Sequence, residues 1–257
     1  MIRSVGTPIL NFLVWMYDII PNLGIGIIFL TVIINILLFP LVLKQTRATK
    51  AFQAIGPEIK KLQAKHKEEP EVLQKEMVAL QRDAGANPLG CALPMLIQMP
   101  IWWALFRVLR SLGEQEDPEV DFLVPLGTNL ADALAEGKTI FLGLDLTVLP
   151  SQVYQTLAFS ALLPYLLLIL VMVAFQYFQQ VLTQTNAATP QAESSQAQQM
   201  QIVTKVMPVM FGVFAWNFVA GLTLYWASSS IVRMLQQLLI NRMDVTSPST
   251  VAQEKTK

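Results

Sequence analysis

The residues best suited to chemistry in this 257-residue sequence are polar side chains set inside apolar runs. Thr31 and Asn35 interrupt one run, Gln98 another, and Thr223, Ser228, Ser229, Ser230, Arg233, Gln236 and Gln237 a third. In hydrocarbon such groups either hold helices together, each pair contributing about 0.6–2 kcal/mol, or line a wetted cavity. Both readings stand for each uncharged residue. Arg233 is more demanding, because a lone arginine at mid-span costs about 2.5–3.5 kcal/mol on insertion scales. It lies seven residues from the end of its run at Ile240, roughly 10 Å of helical rise. Snorkelling of the guanidinium to the headgroups relieves part of that cost. The sharper reading is a cavity between the three runs, open to one side of the membrane, in which Arg233 offers positive charge to an anionic group.

Bond-making chemistry finds little support. Gly137-Lys138-Thr139 has the look of the end of a phosphate-binding loop, but the motif needs glycine five residues before Gly137, and that position is Asp132. His66 is the only histidine and falls in a polar segment, so neither a Ser-His pair nor an HExxH site can be assembled within the bilayer. The single cysteine, Cys91, excludes an intramolecular disulfide or a multi-cysteine metal site and suits small-residue packing better than nucleophilic attack. The apolar runs hold no carboxylate, and so lack the usual relay of a proton- or cation-coupled transporter. No enzyme activity, metal or cofactor is expected.

Composition indicates what must position these side chains. With 53% hydrophobic and 14% charged residues, against about 25% charged in soluble domains, the chain has too little charge to solvate a globule. Eighteen basic and eighteen acidic side chains leave zero net charge, which argues against nucleic-acid specificity. Apolar blocks near 20 residues long predict an all-α polytopic membrane protein with five transmembrane helices. Residues 1–22 read as an amphipathic interfacial helix ending at Pro21-Asn22, with a cleaved signal peptide headed by Arg3 as the competing reading. Transmembrane helix 1 falls within 23–43, helix 2 within 87–110 with Pro94 and Pro100 inside it, and helix 3 within 155–180 with Pro164 inside it. Residues 202–240 are nearly twice a membrane thickness and must fold back to give helices 4 and 5, with the break expected at Ala220-Gly221.

The connections carry opposite charge. Residues 44–86 hold Lys44, Arg47, Lys50, Lys60, Lys61, Lys65, Lys67, Lys75 and Arg82. Ile55, Ile59 and Leu62 share one helical face and Leu73, Met77 and Leu80 another, around a turn at His66 to Pro70, which predicts a helical hairpin whose arms pack together. Residues 111–154 are acidic, with Glu114, Glu116, Asp117, Glu119, Asp121, Asp132, Glu136 and Asp145 against Lys138. Retention of Lys and Arg in the cytoplasm puts the hairpin inside, the acidic loop and N-terminus outside, and the 241–257 tail inside. Arg107 and Arg110 at the outer end of helix 2 run against this pattern, although both can snorkel. Residues 181–201, rich in Gln and Ala, read as a cytoplasmic loop.

These motifs are also where the sequence resembles a family. Phe39-Pro40-Leu41 with Lys44-Gln45-Thr46, Gln53 to Pro57, Asn87-Pro88-Leu89-Gly90, Leu93 to Ile101, Met207-Pro208, and Gly221-Leu222 to Tyr225 with Gln236-Gln237 resemble, in order, the YidC family of membrane protein insertases. The most specific signal is Asn-Pro-Leu-Gly followed by Leu-Ile-Gln-Met-Pro. The resemblance implies a compact form, without the large extracytoplasmic domain or the long basic ribosome-holding tail of some relatives. It implies a bacterial plasma membrane, or a thylakoid membrane, as location. Implied partners are nascent membrane protein substrates and the lipid bilayer, with the ribosome, targeting factors and the general translocon as further contacts. Bacterial members typically place an arginine five residues before the motif proline, and here that position is Asn35. Arg233 stands where relatives usually have a small polar residue, so the groove's positive charge is expected to have moved from the first span to the fifth.

An insertase must bring the polar flank of a substrate helix across hydrocarbon. A cytoplasm-open wet groove admits that flank part-way, while burial of the substrate's apolar helix, at about 25 cal/mol per Å², drives release into lipid. The groove residues expected on this reading are Asn35, Gln98, Ser229, Ser230 and Arg233, with Lys60, Lys61 and Lys65 as hairpin contacts. A small-solute channel or transporter is the alternative, disfavoured by the lack of internal repeats and of intramembrane carboxylates. A structural chaperone that holds subunits without translocating them is a third.

Overall fold

The computed structural model describes residues 2–67, 69–84, 88–113, 124–125, 127–156, 159–184 and 206–244, with side chains described at all of these except 2–3, 52–53, 88–97, 156, 183–184 and 244. The elements are α1 (Ile2–Ile19), α2 (Leu23–Ala54), α3 (Gly56–Lys65), α4 (Pro70–Asp83), α5 (Pro88–Gly113), α6 (Asn129–Ala135), β1 (Ile140–Phe141), β2 (Leu144–Asp145), α7 (Pro150–Thr156), α8 (Phe159–Gln184), α9 (Val206–Ala215) and α10 (Ala220–Asp244). The described chain is thus nearly all helical. Among the described residues two helices, Leu23–Ala51 of α2 and Phe159–Leu182 of α8, are long and apolar enough to cross a membrane.

The core lies where α1, α2, α5, α8 and α10 meet. Leu13 of α1, Ile27 of α2, Leu105 and Leu109 of α5, Met172 of α8 and Leu222 of α10 are almost wholly buried. The apolar side of α1, carrying Ile9, Leu10, Leu13 and Tyr17, is buried in this core against α5 and α2 rather than left to lipid. Outward from the core, Leu163, Leu167 and Leu170 of α8 are exposed and recur at helical spacing, as a lipid-facing stripe does.

Three features differ from the sequence expectation, each for a local reason. Helix α2 has 32 residues, about 48 Å at 1.5 Å per residue, so it runs some way past a hydrocarbon core of about 30 Å. Lys44, Arg47 and Lys50 end the apolar run but are good helix formers and do not end the helix. The break before α10 falls at residues 216–219 rather than at Ala220-Gly221. Ala220 and Gly221 instead form the first turn of α10, where the N–H groups of Ala220 and Gly221 donate to the carbonyls of Val148 (3.0 Å) and Leu146 (2.8 Å). Helix starts always leave such donors to be satisfied from outside.

The carbonyls that receive them belong to the third difference, a folded cap within the 111–154 segment. There β1 pairs antiparallel with β2, Ile140 opposite Asp145 and Phe141 opposite Leu144, leaving Leu142-Gly143 as a two-residue turn. Asp145 organises the strand ends: its Oδ1 accepts from Thr139 Oγ1 (2.8 Å), Thr147 N–H (3.0 Å) and Thr147 Oγ1 (2.7 Å), and its own N–H donates to Tyr165 Oη of α8 (3.0 Å). The Phe141 ring covers the start of α2 so closely that a Cβ on Gly24 would lie 2.2 Å from Phe141 Cγ. One short hairpin therefore clamps the starts of α2, α8 and α10.

At the other end, α3 and α4 pack on each other. Ile55 and Ile59 lie against Met77 and Leu80, and both ring nitrogens of His66 sit 3.2 Å from carboxylate oxygens, Nδ1 from Glu69 and Nε2 from Glu76. Each helix begins on a proline in its first turn, Pro57 and Pro70, where the missing N–H costs nothing. Glu114, Glu116, Asp117, Glu119 and Asp121, the Cys91 side chain, the segment 185–201 and the tail from 245 lie outside the described residues.

Candidate polar seam between two parallel helices

Helices α2 and α10 run parallel. Near their starts a Cβ on Gly221 would lie 3.3 Å from Ile27 Cδ1, and near their ends Lys50 Nζ donates to Asn241 Oδ1 at 3.1 Å. The contact is apolar at Ile27 and Leu222 and becomes polar from Thr31 onward. Thr31 donates its hydroxyl to the carbonyl of Ile27 (2.7 Å), one turn back on its own helix.

Asn35 is the hub. Its Nδ2 donates to Thr31 O (2.8 Å) and to Ser229 Oγ (3.0 Å), its Oδ1 accepts from Arg233 Nε (3.4 Å), and its backbone carbonyl accepts from Gln236 Nε2 (2.9 Å). Ser229, Arg233 and Gln236 stand at i, i+4 and i+7 of α10, so a single stripe reaches one residue of α2. The carbonyl they reach is available because helix C=O groups have a second lone pair. Asn35 is 3% exposed, Ser229 5% and Gln236 7%, whereas Arg233 is only partly buried. No described carboxylate lies within ion-pair distance of Arg233. Two buried polar atoms of α10, Gln236 Oε1 in the seam and Thr223 Oγ1 beside Leu222, have no hydrogen-bond partner among the described residues. Such orphans cost about 1–3 kcal/mol each.

Of the residues singled out from sequence, Asn35, Ser229 and Arg233 are brought into direct contact. Ser230 is buried but turns back to the carbonyl of Trp226 on its own helix (2.9 Å). Gln98 of α5 bonds Tyr225 Oη of α10 (3.2 Å), one turn before Ser229. Lys60, Lys61 and Lys65 sit apart on α3, Lys61 and Lys65 exposed and Lys60 partly buried. Two members of the arrangement lacked a role in the sequence reading. Gln236 stood among the polar residues of its run and in the Gln236-Gln237 motif without a role in the groove, and its i+7 spacing from Ser229 is the signal that places it on the same face. Tyr225 closed the Gly221-Leu222 to Tyr225 motif with no role given to its hydroxyl, which pattern alone does not distinguish from core.

An aromatic cluster adjoins the seam. Trp102 of α5 stacks on Trp226 of α10 (ring centroids 6.1 Å, interplanar angle 7°), with Phe211 and Phe218 edge-on to Trp226. These rings, with Met207, Met210 and Phe214 of α9, line an apolar cleft of about 250 Å³.

The chain is similar to known proteins over most of its length. Residues 15–247 match the family model described as 60Kd inner membrane protein. A "Membrane protein insertase YidC" of Helicobacter pylori is 32% identical over 241 residues, 94% of this chain and 37% of that protein. An "Inner membrane ALBINO3-like protein 2, chloroplastic" of Chlamydomonas reinhardtii is 33% identical over 218 residues, 84% of this chain and 49% of that protein. The chain thus spans between a third and a half of the length of these relatives. Among solved structures, an active YidC insertase matches with a TM-score of 0.56 at 22% identity, covering 96% of this chain and 47% of that one. The match across residues 15–247 and the agreement of relatives place this chain in the 60Kd inner membrane protein family, the YidC family of membrane protein insertases.

Proposed function

We propose that this protein is a membrane protein insertase and chaperone, and that the seam of α2 and α10 is the wall of a hydrophilic groove open to the cytoplasm. The observation that carries the reading is Arg233. A partly buried guanidinium in the polar stretch of the helix pair, bonded to a neutral carboxamide and without a described carboxylate, keeps its charge available to an outside group. An acidic or polar flank of an entering chain supplies that group, and Asn35, Ser229 and Gln98 offer exchangeable hydrogen bonds beside it. The substrate's apolar helix leaves laterally into lipid, driven by its own burial, with the membrane potential assisting acidic flanks.

On this reading five helices span the membrane: the apolar part of α2, α5, α8, a fourth span over about Ile202 to Val219 that contains α9, and the larger part of α10. The N-terminus is outside and the C-terminus cytoplasmic in a bacterial plasma membrane. The α3–α4 pair is a cytoplasmic hairpin whose Lys60, Lys61 and Lys65 meet the nascent chain, the ribosome or targeting factors, and α1 lies near the outer interface. Partners are nascent membrane proteins and lipid, with the general translocon a further contact.

The test is insertion of a short single-span substrate into proteoliposomes holding the purified protein, read as protection of the translocated flank from protease. Insertion above the level in protein-free liposomes is the expected result. Passage of small solutes without substrate insertion would replace the proposal with a channel.

A further inference from the structure

The β1–β2 hairpin has an apolar tip where a hairpin ordinarily carries turn residues. A two-residue loop with φ positive at both positions favours Asn-Gly or Gly-Gly. Here it is Leu142-Gly143, with φ of 51° and 79°, and Leu142 is the one non-glycine residue with positive φ among the described residues. Leu142 is also 80% exposed, and Ile140 beside it 63%, while Phe141 and Leu144 turn inward to α2 and the core. From Ile140 to Leu144 there is no polar side chain. In water this arrangement has backbone strain and exposed apolar surface with nothing gained from either.

The hairpin's position explains it. A Cβ on Gly143 would lie 3.7 Å from Pro164 Cγ, and the Asp145 N–H bonds Tyr165 Oη. Pro164 is the sixth residue of α8, about 7.5 Å along the helix from its start. The hairpin thus lies beside the first two turns of a membrane-spanning helix rather than beyond its end. In the same two turns of α8, Phe159 and Leu163 are exposed, and Leu167 and Leu170 follow them at helical spacing. Lys138, exposed and paired with Glu136, precedes the apolar run, and Asp145, the cross-strand partner of Ile140, follows it with its carboxylate tied to the Thr139 and Thr147 hydroxyls. That order matches an apolar element seated at the acyl boundary with its charged flanks at headgroup level.

We propose that Ile140 and Leu142 form a lipid-seated foot, which anchors the clamp on the starts of α2, α8 and α10 in the adjoining leaflet. The occupant of this apolar surface is the bilayer itself. The foot holds the clamp at a fixed depth, so the apolar end of the helix pair stays registered with the membrane.

Spin labels test this in the full-length protein, in proteoliposomes of phosphatidylethanolamine and phosphatidylglycerol and on a Cys91→Ala background. Labels at Leu142→Cys and Ile140→Cys are compared with Leu167→Cys, a lipid reference, and Glu136→Cys, a water reference. The proposal expects the two foot labels to collide with dissolved oxygen severalfold more than with a water-soluble nickel complex, as Leu167 does. Nickel access equal to that of Glu136 would overturn it, and so would protection from both reagents, which would mean a protein contact. The two foot positions report independently, so misfolding of one variant leaves the other to decide. If Leu167 itself reports water, the spanning placement of α8 fails, which is a different failure from a wetted foot beside a lipid-facing Leu167.

Discussion

The two halves of the α2–α10 pair are built on opposite principles. At the starting half Ile27, Leu222 and Gly221 pack closely under a hairpin that clamps both helices through backbone hydrogen bonds and a phenyl ring. In the following half, from Thr31 to Lys50, the same two helices meet through hydroxyls, carboxamides and a guanidinium, and Gln236 Oε1 lacks a described partner. Close packing has one geometry, whereas hydrogen bonds between flexible polar side chains can be exchanged for others of similar energy. The apolar half therefore sets the register of the helices, and on the proposed function the polar half is the part that gives its bonds to an incoming group.

Substitutions in the two halves should separate stability from insertion. The largest loss of stability is expected from Leu222→Ala, which opens a cavity at a fully buried position and should lower unfolding free energy in detergent by about 2–5 kcal/mol. The fraction that remains folded should still insert substrate. Asp145→Ala leaves three donors without their acceptor and should cost about 1–3 kcal/mol in the same assay. Gln236→Leu removes one hydrogen bond together with an orphaned acceptor, so stability should change by less than about 1 kcal/mol. A large destabilisation by Gln236→Leu would erase the contrast between the halves.

The smallest effect concerns pH. Burial raises the Tyr17 phenol above its ordinary 10.0, with the Lys138 charge opposing and Glu136 adding to the shift. The unfolded chain ionises this tyrosine first, so its contribution is complete below about pH 10 and falls as pH rises through the folded value. Tyr17→Phe should remove that part of the alkaline decline in unfolding midpoint.

Much of this contrast was legible in the sequence, and its limits have physical causes. Apolar length revealed the spans of α2 and α8, and the polar interruptions Asn35, Ser229 and Arg233 stood out because hydrocarbon makes them costly. The extension of α2 to Ala54 was hidden because hydropathy reports the solvent around a helix, not its end. The clamp was hidden because its strands are two residues long and its turn carries Leu142 where asparagine would have announced it. The break before α10 was misplaced to Gly221, a glycine required by the approach of Leu146 O, 3.0 Å from where its Cβ would be, rather than by a turn. Partnership between Gln236 and the carbonyl of Asn35 involves a backbone atom, on which side-chain patterns are silent.

Charge exchange between the two helices tests the central claim most directly. Arg233 Nε and Asn35 Oδ1 are 3.4 Å apart, so an arginine at position 35 starts from the opposite wall of the same seam. In proteoliposomes, with a single-span substrate bearing one acidic residue in its translocated flank, Arg233→Ala should abolish most insertion and the double variant Asn35→Arg/Arg233→Ala should restore it. Normal insertion by Arg233→Ala would contradict the account and leave Arg233 as an anchor that reaches for the headgroups.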